Sequence, residues 1–307
     1  QPTDGLQPPA RPRGPGRGPG IDLQTKLKAE GKDPKEIGGG TVFAYGPTGR
    51  DDGDEPDARV AEQGIRILKT RRQGDRPMLL CLGLQATHLP FHAPDAYFSL
   101  YPPERMEIPR NPGADERGMP PAGVFREHNP HTPEQWREAI AAHYACLTFV
   151  DAQIGRVLTA LEETGRADNT VVVIWSDHGF ELGEQFNWRK GPLRNYSTQV
   201  ALLWRAPGVT RPGTVCARPV ESMDIFPTLL GLCGIPLPAD LEADSMVPLL
   251  ERPDAPWKKG ALMHGAGGRS IVTGKWRFNE YPGRANRQPE LFDREADPEE
   301  FTNLAAD

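Results

Sequence analysis

Apolar positions recur at helical spacing from Asp57 to Arg72, where Val60, Ala61, Gly64, Ile67 and Leu68 predict one amphipathic helix. The continuous apolar run from Met78 to Leu84, bounded by Pro77 and a polar turn, is the pattern of a strand covered on both faces. Between about residues 94 and 133, Pro, Gly and charged residues dominate, which predicts a long surface connection. Thr132-Pro133-Glu134 then supplies a helix start, with Thr as N-cap and Pro in the first turn. Trp136, Ile140, Tyr144, Leu147, Val150, Ile154, Val157 and Leu161 trace one face of that helix, and Gly165 stops it. Thr170 to Trp175 and Gln199 to Trp204 read as further buried strands. A helix capped by Ser222 or Asp224 is expected to run through Ile225, Leu229 and Leu230 to Gly234. Beyond Pro256 the pattern breaks into short segments, "ALMH", "RSIVT", "KWRFN" and "ELFD", with Gly274 at a hairpin turn, and predicts a small antiparallel sheet.

Helix followed by strand, twice over, predicts an α/β fold. A length of 307 residues accommodates one large domain with a smaller companion. The expected division is a Pro/Gly-rich loop or tail over residues 1–40, an α/β core over 41–255 and the antiparallel subdomain over 256–307. Composition is that of an ordinary water-exposed chain, with 33 Pro and 33 Gly pointing to plentiful irregular connections. A formal charge of −6 argues against a nucleic-acid partner, because a phosphate binder normally carries a basic face. No apolar run has the length of a membrane span. Cys81, Cys146, Cys216 and Cys233 stand singly, without metal-type spacing, and read as buried free thiols.

The chemistry concentrates after the strand ending at Trp175. In parallel α/β sheets, ligand groups gather beyond the carboxyl ends of strands, and Asp177 and His178 stand at that place. An anionic oxygen beside a neutral imidazole nitrogen can share a divalent cation, and Gly179 lets the backbone turn away closely. A capping aspartate with a surface histidine is the plainer alternative.

The text from Asp168 onward, "DNTVVVIWSDHGFELGE", then "WRKG" and "QVALLWRAPGV", resembles the sulfatase family of the alkaline-phosphatase-like superfamily. "HLPFHAPDAYFSLYPPE" from His88, "FVDAQIGRVLTALEETG" and "ELFDREADPEEFTNLA" are similar, in order, to its iduronate-2-sulfatase-like branch, so the likeness runs from roughly residue 40 to 305. The resemblance implies an alkaline-phosphatase-like α/β/α sandwich, here incomplete. It implies that Asp177 and His178 ligate a divalent cation, usually calcium in the family, with manganese and zinc left open by the mixed donors. It also implies that Lys190 and His88 contact the sulfate or the leaving oxygen, where fixed positive charge stabilises developing negative charge. The implied substrate is a sulfated small molecule or sulfated glycan, and the implied location is periplasmic or secreted.

Several positions depart from the family pattern. Sulfatases use a formylglycine made within a C/S-x-P-S-R motif, and none of the four cysteines or the serines here meets it. Asp51-Asp52, with no apolar strand before it, is a poor substitute for the family's paired metal-binding aspartates. The chain is therefore expected to be the C-terminal portion of a longer sulfatase, with the formylglycine in an upstream segment, and to be inactive alone. Ala86-Thr87-His88 replaces the branch's Lys-Pro-His, which removes a cation near the sulfate, and Gln185 stands where the branch commonly has histidine. Two other functions are compatible with the residues. One is a phosphodiester or phosphonate monoester hydrolase on the same scaffold; the other is a non-catalytic module that binds sulfated glycans.

Overall fold

The computed structural model describes residues 21–22, 43–72, 74–115, 118–119, 129–130, 132–265, 267–283 and 287–305. The chain forms two compact units, Gln1–Arg166 and Ala167–Asp307. Of the expected tail over 1–40, only Ile21–Asp22 lies within the described residues, and it forms a strand rather than loop. Among the described residues, no helix is long and apolar enough to cross a membrane.

In the first unit, β1 (Ile21–Asp22), β2 (Ala44–Pro47) and β3 (Phe91–Ala93) form a sheet in that order, with β1 antiparallel and β3 parallel to β2. Helix α1 (Pro56–Thr70) buries Ala58, Ala61, Gly64, Ile65 and Leu68, the stripe that three- and four-residue spacing produces. A one-turn helix, α2 (Asp95–Phe98), precedes the long α3 (Pro133–Glu163), which packs on α1, β2 and β3. Thr132 caps α3 as expected, its Oγ1 accepting the Gln135 N–H at 3.2 Å. The core is aromatic. Phe43 meets Phe91 edge-on at 6.1 Å, and Phe91 meets the His143 ring at 4.8 Å. Burial pushes His143 down to about 4, so the ring is neutral inside that cluster.

The buried face of α3 agrees with the expected one at Trp136, Ile140 and Leu161 and departs from it between them. Tyr144 and Leu147 are exposed, whereas Ala139, Ala142, Cys146 and Phe149 are buried. Because α3 is covered by α1 and by β2 and β3, its buried surface is set by those neighbours and not by the larger apolar periodicity alone. The run Met78–Leu84 also departs from expectation. It joins no ladder among the described residues, and Leu79 is 78% exposed. An apolar run becomes a strand only when a neighbour accepts its N–H groups; here Leu82 instead lies against α1 at Gly64, where a Cβ would come within 2.7 Å of Leu82 Cδ1.

His88 therefore follows an extended segment and a turn, not a strand end. That turn is held by Asp57, a buried residue of the first turn of α1, whose Oδ2 accepts the N–H groups of Gln85 and Ala86, both at 2.8 Å. Burial raises the Asp57 pKa, opposed by those two backbone bonds. Asp57→Ala is expected to destabilise the first unit by about 2 kcal/mol, because hydrogen bonds to a charged acceptor are lost. Urea unfolding together with amide exchange at Gln85 and Ala86 checks this; unchanged exchange there would contradict it.

In the second unit, β4 (Val172–Trp175) pairs with β7 (Leu202–Arg205). The pairing is antiparallel, against the parallel arrangement expected. The intervening chain is a hairpin, β5 (Glu181–Leu182) with β6 (Trp188–Arg189), and a one-turn helix, α4 (Asn195–Thr198), rather than a crossover helix, so the strand returns in the opposite sense. Nor are these strands fully buried: Trp175 and Leu203 are exposed, since each strand has a single ladder neighbour among the described residues. A 3-10 turn (Ser222–Asp224) leads into α5 (Ile225–Leu232), where Glu221 and Asp224 form a reciprocal capping box. After α6 (Val247–Glu251) come β8 (Ala261–Gly265), β9 (Gly268–Val272), β10 (Trp276–Glu280) and β11 (Glu290–Asp293). They form the expected antiparallel sheet, in the order β11-β10-β9-β8. Of the four cysteines only Cys146 is buried; Cys81, Cys216 and Cys233 are exposed, the first on the unpaired run just described.

Candidate active site

The site is built on the chain leaving β4. Ser176 N–H still donates across to the Ala201 carbonyl at 3.2 Å, and Ser176 Oγ donates to the His178 carbonyl at 2.8 Å, closing a tight loop around Asp177. The loop is pinned to α4 by Gly179, whose N–H donates to the Ser197 carbonyl at 2.9 Å. A Cβ at residue 179 would lie 2.0 Å from the Tyr196 carbonyl oxygen, so only glycine allows this approach.

The hairpin β5–β6 then brings Lys190 back to His178. Its tip uses left-handed backbone at Gly183, Gln185 and Phe186, and Glu184 accepts the Leu182 N–H. His178 Nδ1–H donates to the Gly179 carbonyl at 2.8 Å, which makes Nε2 the acceptor; Lys190 Nζ donates to it at 2.6 Å. Asp177 Oδ2 lies 3.7 Å from the same Nε2. The Asp177 side chain is 73% exposed and that of His178 30%, so a solute can reach the cluster.

Beneath the loop sits Glu181, which is buried. Its Oε1 accepts from Ser197 Oγ at 3.0 Å, and Oε2 has no hydrogen-bond partner among the described residues. Burial pushes this carboxyl up to about 8, with the Ser197 bond acting against it, so it is an uncharged acid at neutral pH. Helix α4 is held in turn from the C-terminal sheet. Glu300 Oε2 accepts the Asn195 N–H at 3.0 Å and Oε1 accepts from Arg277 Nε at 2.5 Å, both Arg277 and Glu300 being almost wholly buried. Arg194 completes the frame with Glu290 at 2.8 Å, and the Gln185 amide donates to the Glu299 carbonyl at 2.6 Å.

Three of the four expected site residues, Asp177, His178 and Lys190, are thus brought together in the second unit. His88 belongs to the first, where its Nδ1–H donates to the Leu89 carbonyl at 2.6 Å and leaves Nε2 as the acceptor of the neutral ring. The positioning residues Glu181, Ser197, Arg277 and Glu300 were not indicated by sequence. A carboxylate oxygen and an imidazole nitrogen 3.7 Å apart suit two donors on one divalent cation, but the single Nε2 lone pair accepts from Lys190 Nζ here, so the pair fits part of a coordination sphere only with Lys190 swung away. No group of three or more His, Cys, Asp or Glu that could hold a metal occurs among the described residues, so the pair alone does not close a sphere.

Comparison with known proteins gives this geometry a context. A family model described as Sulfatase matches residues 17–235, and one described as N-sulphoglucosamine sulphohydrolase, C-terminal, matches residues 183–307. A Formosa agariphila protein named Sulfatase is 31% identical over 275 residues, 85% of this chain and 54% of the relative. Iduronate 2-sulfatase of Homo sapiens is 28% identical over 232 residues, 61% of this chain and 41% of the relative. Among solved structures, the phosphonate monoester hydrolase of Silicibacter pomeroyi is similar with a TM-score of 0.71 and 25% identity, covering 92% of this chain and 64% of that one. The chain spans about half the length of the curated relatives it matches.

Proposed function

The chain belongs to the sulfatase family, and from that premise we propose that the protein it forms hydrolyses sulfate esters, with an alkaline-phosphatase-like α/β fold carrying the site. The observation that carries this reading is the cluster of Lys190, His178 and Asp177 beyond β4, a fixed ammonium beside two cation-binding groups in an accessible loop. A sulfate ester presents anionic oxygens and develops negative charge on its leaving oxygen, and preoriented positive charge lowers the energy of that state. Lys190 is assigned to the sulfate. His88, with Nδ1 committed to the Leu89 carbonyl, is assigned to the leaving oxygen, where a protonated Nε2 would donate. Asp177 and His178 are assigned to a divalent cation, calcium first and manganese or zinc as alternatives. When bound, such an ion supplies Lewis-acid polarisation of an ester oxygen. The Gly179 carbonyl orients the His178 ring for that role, and Lys190 Nζ would have to leave Nε2 for an ion to bind there.

No C/S-x-P-S-R motif occurs in these 307 residues, so the formylglycine nucleophile is assigned to polypeptide outside them. The likeness to iduronate 2-sulfatase favours a sulfated sugar as substrate, and membership of the sulfatase family favours a secreted or periplasmic location. Thr87 and Ala86 ahead of His88 take a positive charge away from the sulfate side and point to a substrate other than that relative's. A second reading, phosphonate monoester hydrolysis, is favoured by the structural similarity over 92% of the chain. Parallel assays of the full-length protein on 4-nitrophenyl sulfate and 4-nitrophenyl phenylphosphonate separate the two. Faster sulfate turnover is expected, lowered on the order of 10²-fold by Lys190→Ala. Faster phosphonate turnover would transfer the assignment to the second reading. The 307-residue chain itself is expected to turn over neither ester; turnover abolished by Asp177→Ala would overturn that.

A further inference from the structure

The four-stranded sheet of the second unit has two unlike faces. One holds Ser270, Val272, Arg277, Asn279 and Phe292, all buried. The other carries an apolar row that crosses every strand at one register. Leu262 of β8 pairs with Ile271 of β9, Ile271 with Phe278 of β10, and Phe278 with Leu291 of β11, and residues paired in this way project from the same face. Leu262 is 61% exposed, and Ile271 and Phe278 beside it are exposed too. Two residues along the strands, Arg269 of β9 pairs with Glu280 of β10, and their side chains form a solvent-facing ion pair that rims the row. An apolar patch edged by charge is the mark of a docking surface.

The charges select the partner. Strands β9 and β10 lie at the middle of the sheet. A two-fold axis between them, parallel to the strands and in the plane of contact, sets a second copy face to face with β8 over β11 and β9 over β10. Leu262 then meets Leu291 of the second copy, and Ile271 meets its Phe278. Each Arg269 meets the other copy's Glu280, so four charges alternate in sign. The axis at right angles, along the row, would set Arg269 over Thr273 and Glu280 over Trp276, leaving both charges without a counter-charge. We propose that this outer face docks on the same face of a second copy through the strand-parallel axis. Four strands of five residues present a face of roughly 19 Å by 17 Å, and two such faces bury on the order of 1,000 Å² in total, the size of a weak specific interface. A dimer with a dissociation constant in the micromolar range follows. The inference is independent of ester hydrolysis and needs neither nucleophile nor metal.

Sedimentation equilibrium of the 307-residue chain tests this, and a reversible monomer–dimer equilibrium is expected. Arg269→Glu leaves two negative charges on the face, and Glu280→Arg leaves two positive ones. Each variant alone should dimerise roughly tenfold or more weakly, because like charges then meet across the axis. An equimolar mixture of the two variants should form a one-to-one heterodimer at least as tight as the unsubstituted dimer. Ile271→Ser, which cuts the apolar row at its centre, should weaken association in the same way. Arg269 and Glu280 are both open to solvent, so the charge variants keep the fold even if Ile271→Ser does not. A chain that stays monomeric at about 100 μM, far above a micromolar dissociation constant, overturns the proposal. So does a dimer, or a larger oligomer, that the charge variants leave unchanged, or a mixture that gives no heterodimer.

Discussion

Replacing Arg277 by methionine is expected to destabilise the second unit by about 3–5 kcal/mol, the cost of leaving a buried carboxylate without its partner. Glu300 is fully buried, and Arg277 Nε is its nearest cation at 2.5 Å; Arg294 stands farther off at 3.9 Å. Burial by itself lowers the Arg277 pKa, with the Glu300 charge acting in the opposite direction, so each ion depends on the other. The double variant Arg277→Met, Glu300→Gln should recover most of the loss, since both charges are then absent. The loss should also be felt at the site. Glu300 holds the Asn195 N–H, α4 follows, and the Ser197 carbonyl of α4 holds Gly179, so amide exchange at Gly179 should accelerate in the single variant. A single-variant loss under 1 kcal/mol in urea unfolding would show that the pair contributes little.

Glu181→Gln should act in the opposite direction and stabilise the unit by about 3 kcal/mol at pH 7. The carboxyl has a folded pKa of about 8 against an ordinary value of 4.5. Between those values the folded state holds a proton that the unfolded state has released. Stability is therefore fullest below about pH 4.5 and declines as pH rises toward 8. Glutamine has the shape of the protonated acid and no such dependence, and its amide leaves one polar atom unpaired much as the acid does. Urea midpoints at pH 5, 7 and 8 should thus show the variant's advantage growing with pH, from about 1 kcal/mol at pH 5. A difference constant across that range would mean that packing, not ionisation, separates the two proteins.

Much of this was legible beforehand, for reasons that can be located. Helix α3 and the α1 stripe follow from local spacing and caps, which need no partner to be read. Asp177, His178 and Lys190 could be singled out because a strand ending in ligand-type residues is a local pattern. The positioning residues were hidden because their partners lie far along the chain. Strand β10 shows the difficulty most plainly: Arg277 and Asn279 point inward and are buried, while Trp276 and Phe278 face out. Alternation is visible in "KWRFN", but the usual rule of apolar residues inside would choose the wrong face, because Glu300 and Glu290 supply the charges that reverse it. The run Met78–Leu84 failed for a related reason, since strand pairing depends on a neighbour that the run itself does not specify.

The bonds made by Glu299 and Glu300 change what the end of the described chain is for. Gln185 at the tip of the Lys190 hairpin donates to the Glu299 carbonyl, Arg194 donates to the Glu300 carbonyl, and the Leu304 N–H closes onto the Leu291 carbonyl. Residues that look like a trailing segment therefore serve as the latch of the loop carrying the lysine. Trimming back to residue 298 would take away the counter-ion of Arg277 and the hairpin's tether in one cut. A nick by a protease at that place would reach the site while leaving Asp177, His178 and Lys190 untouched in sequence.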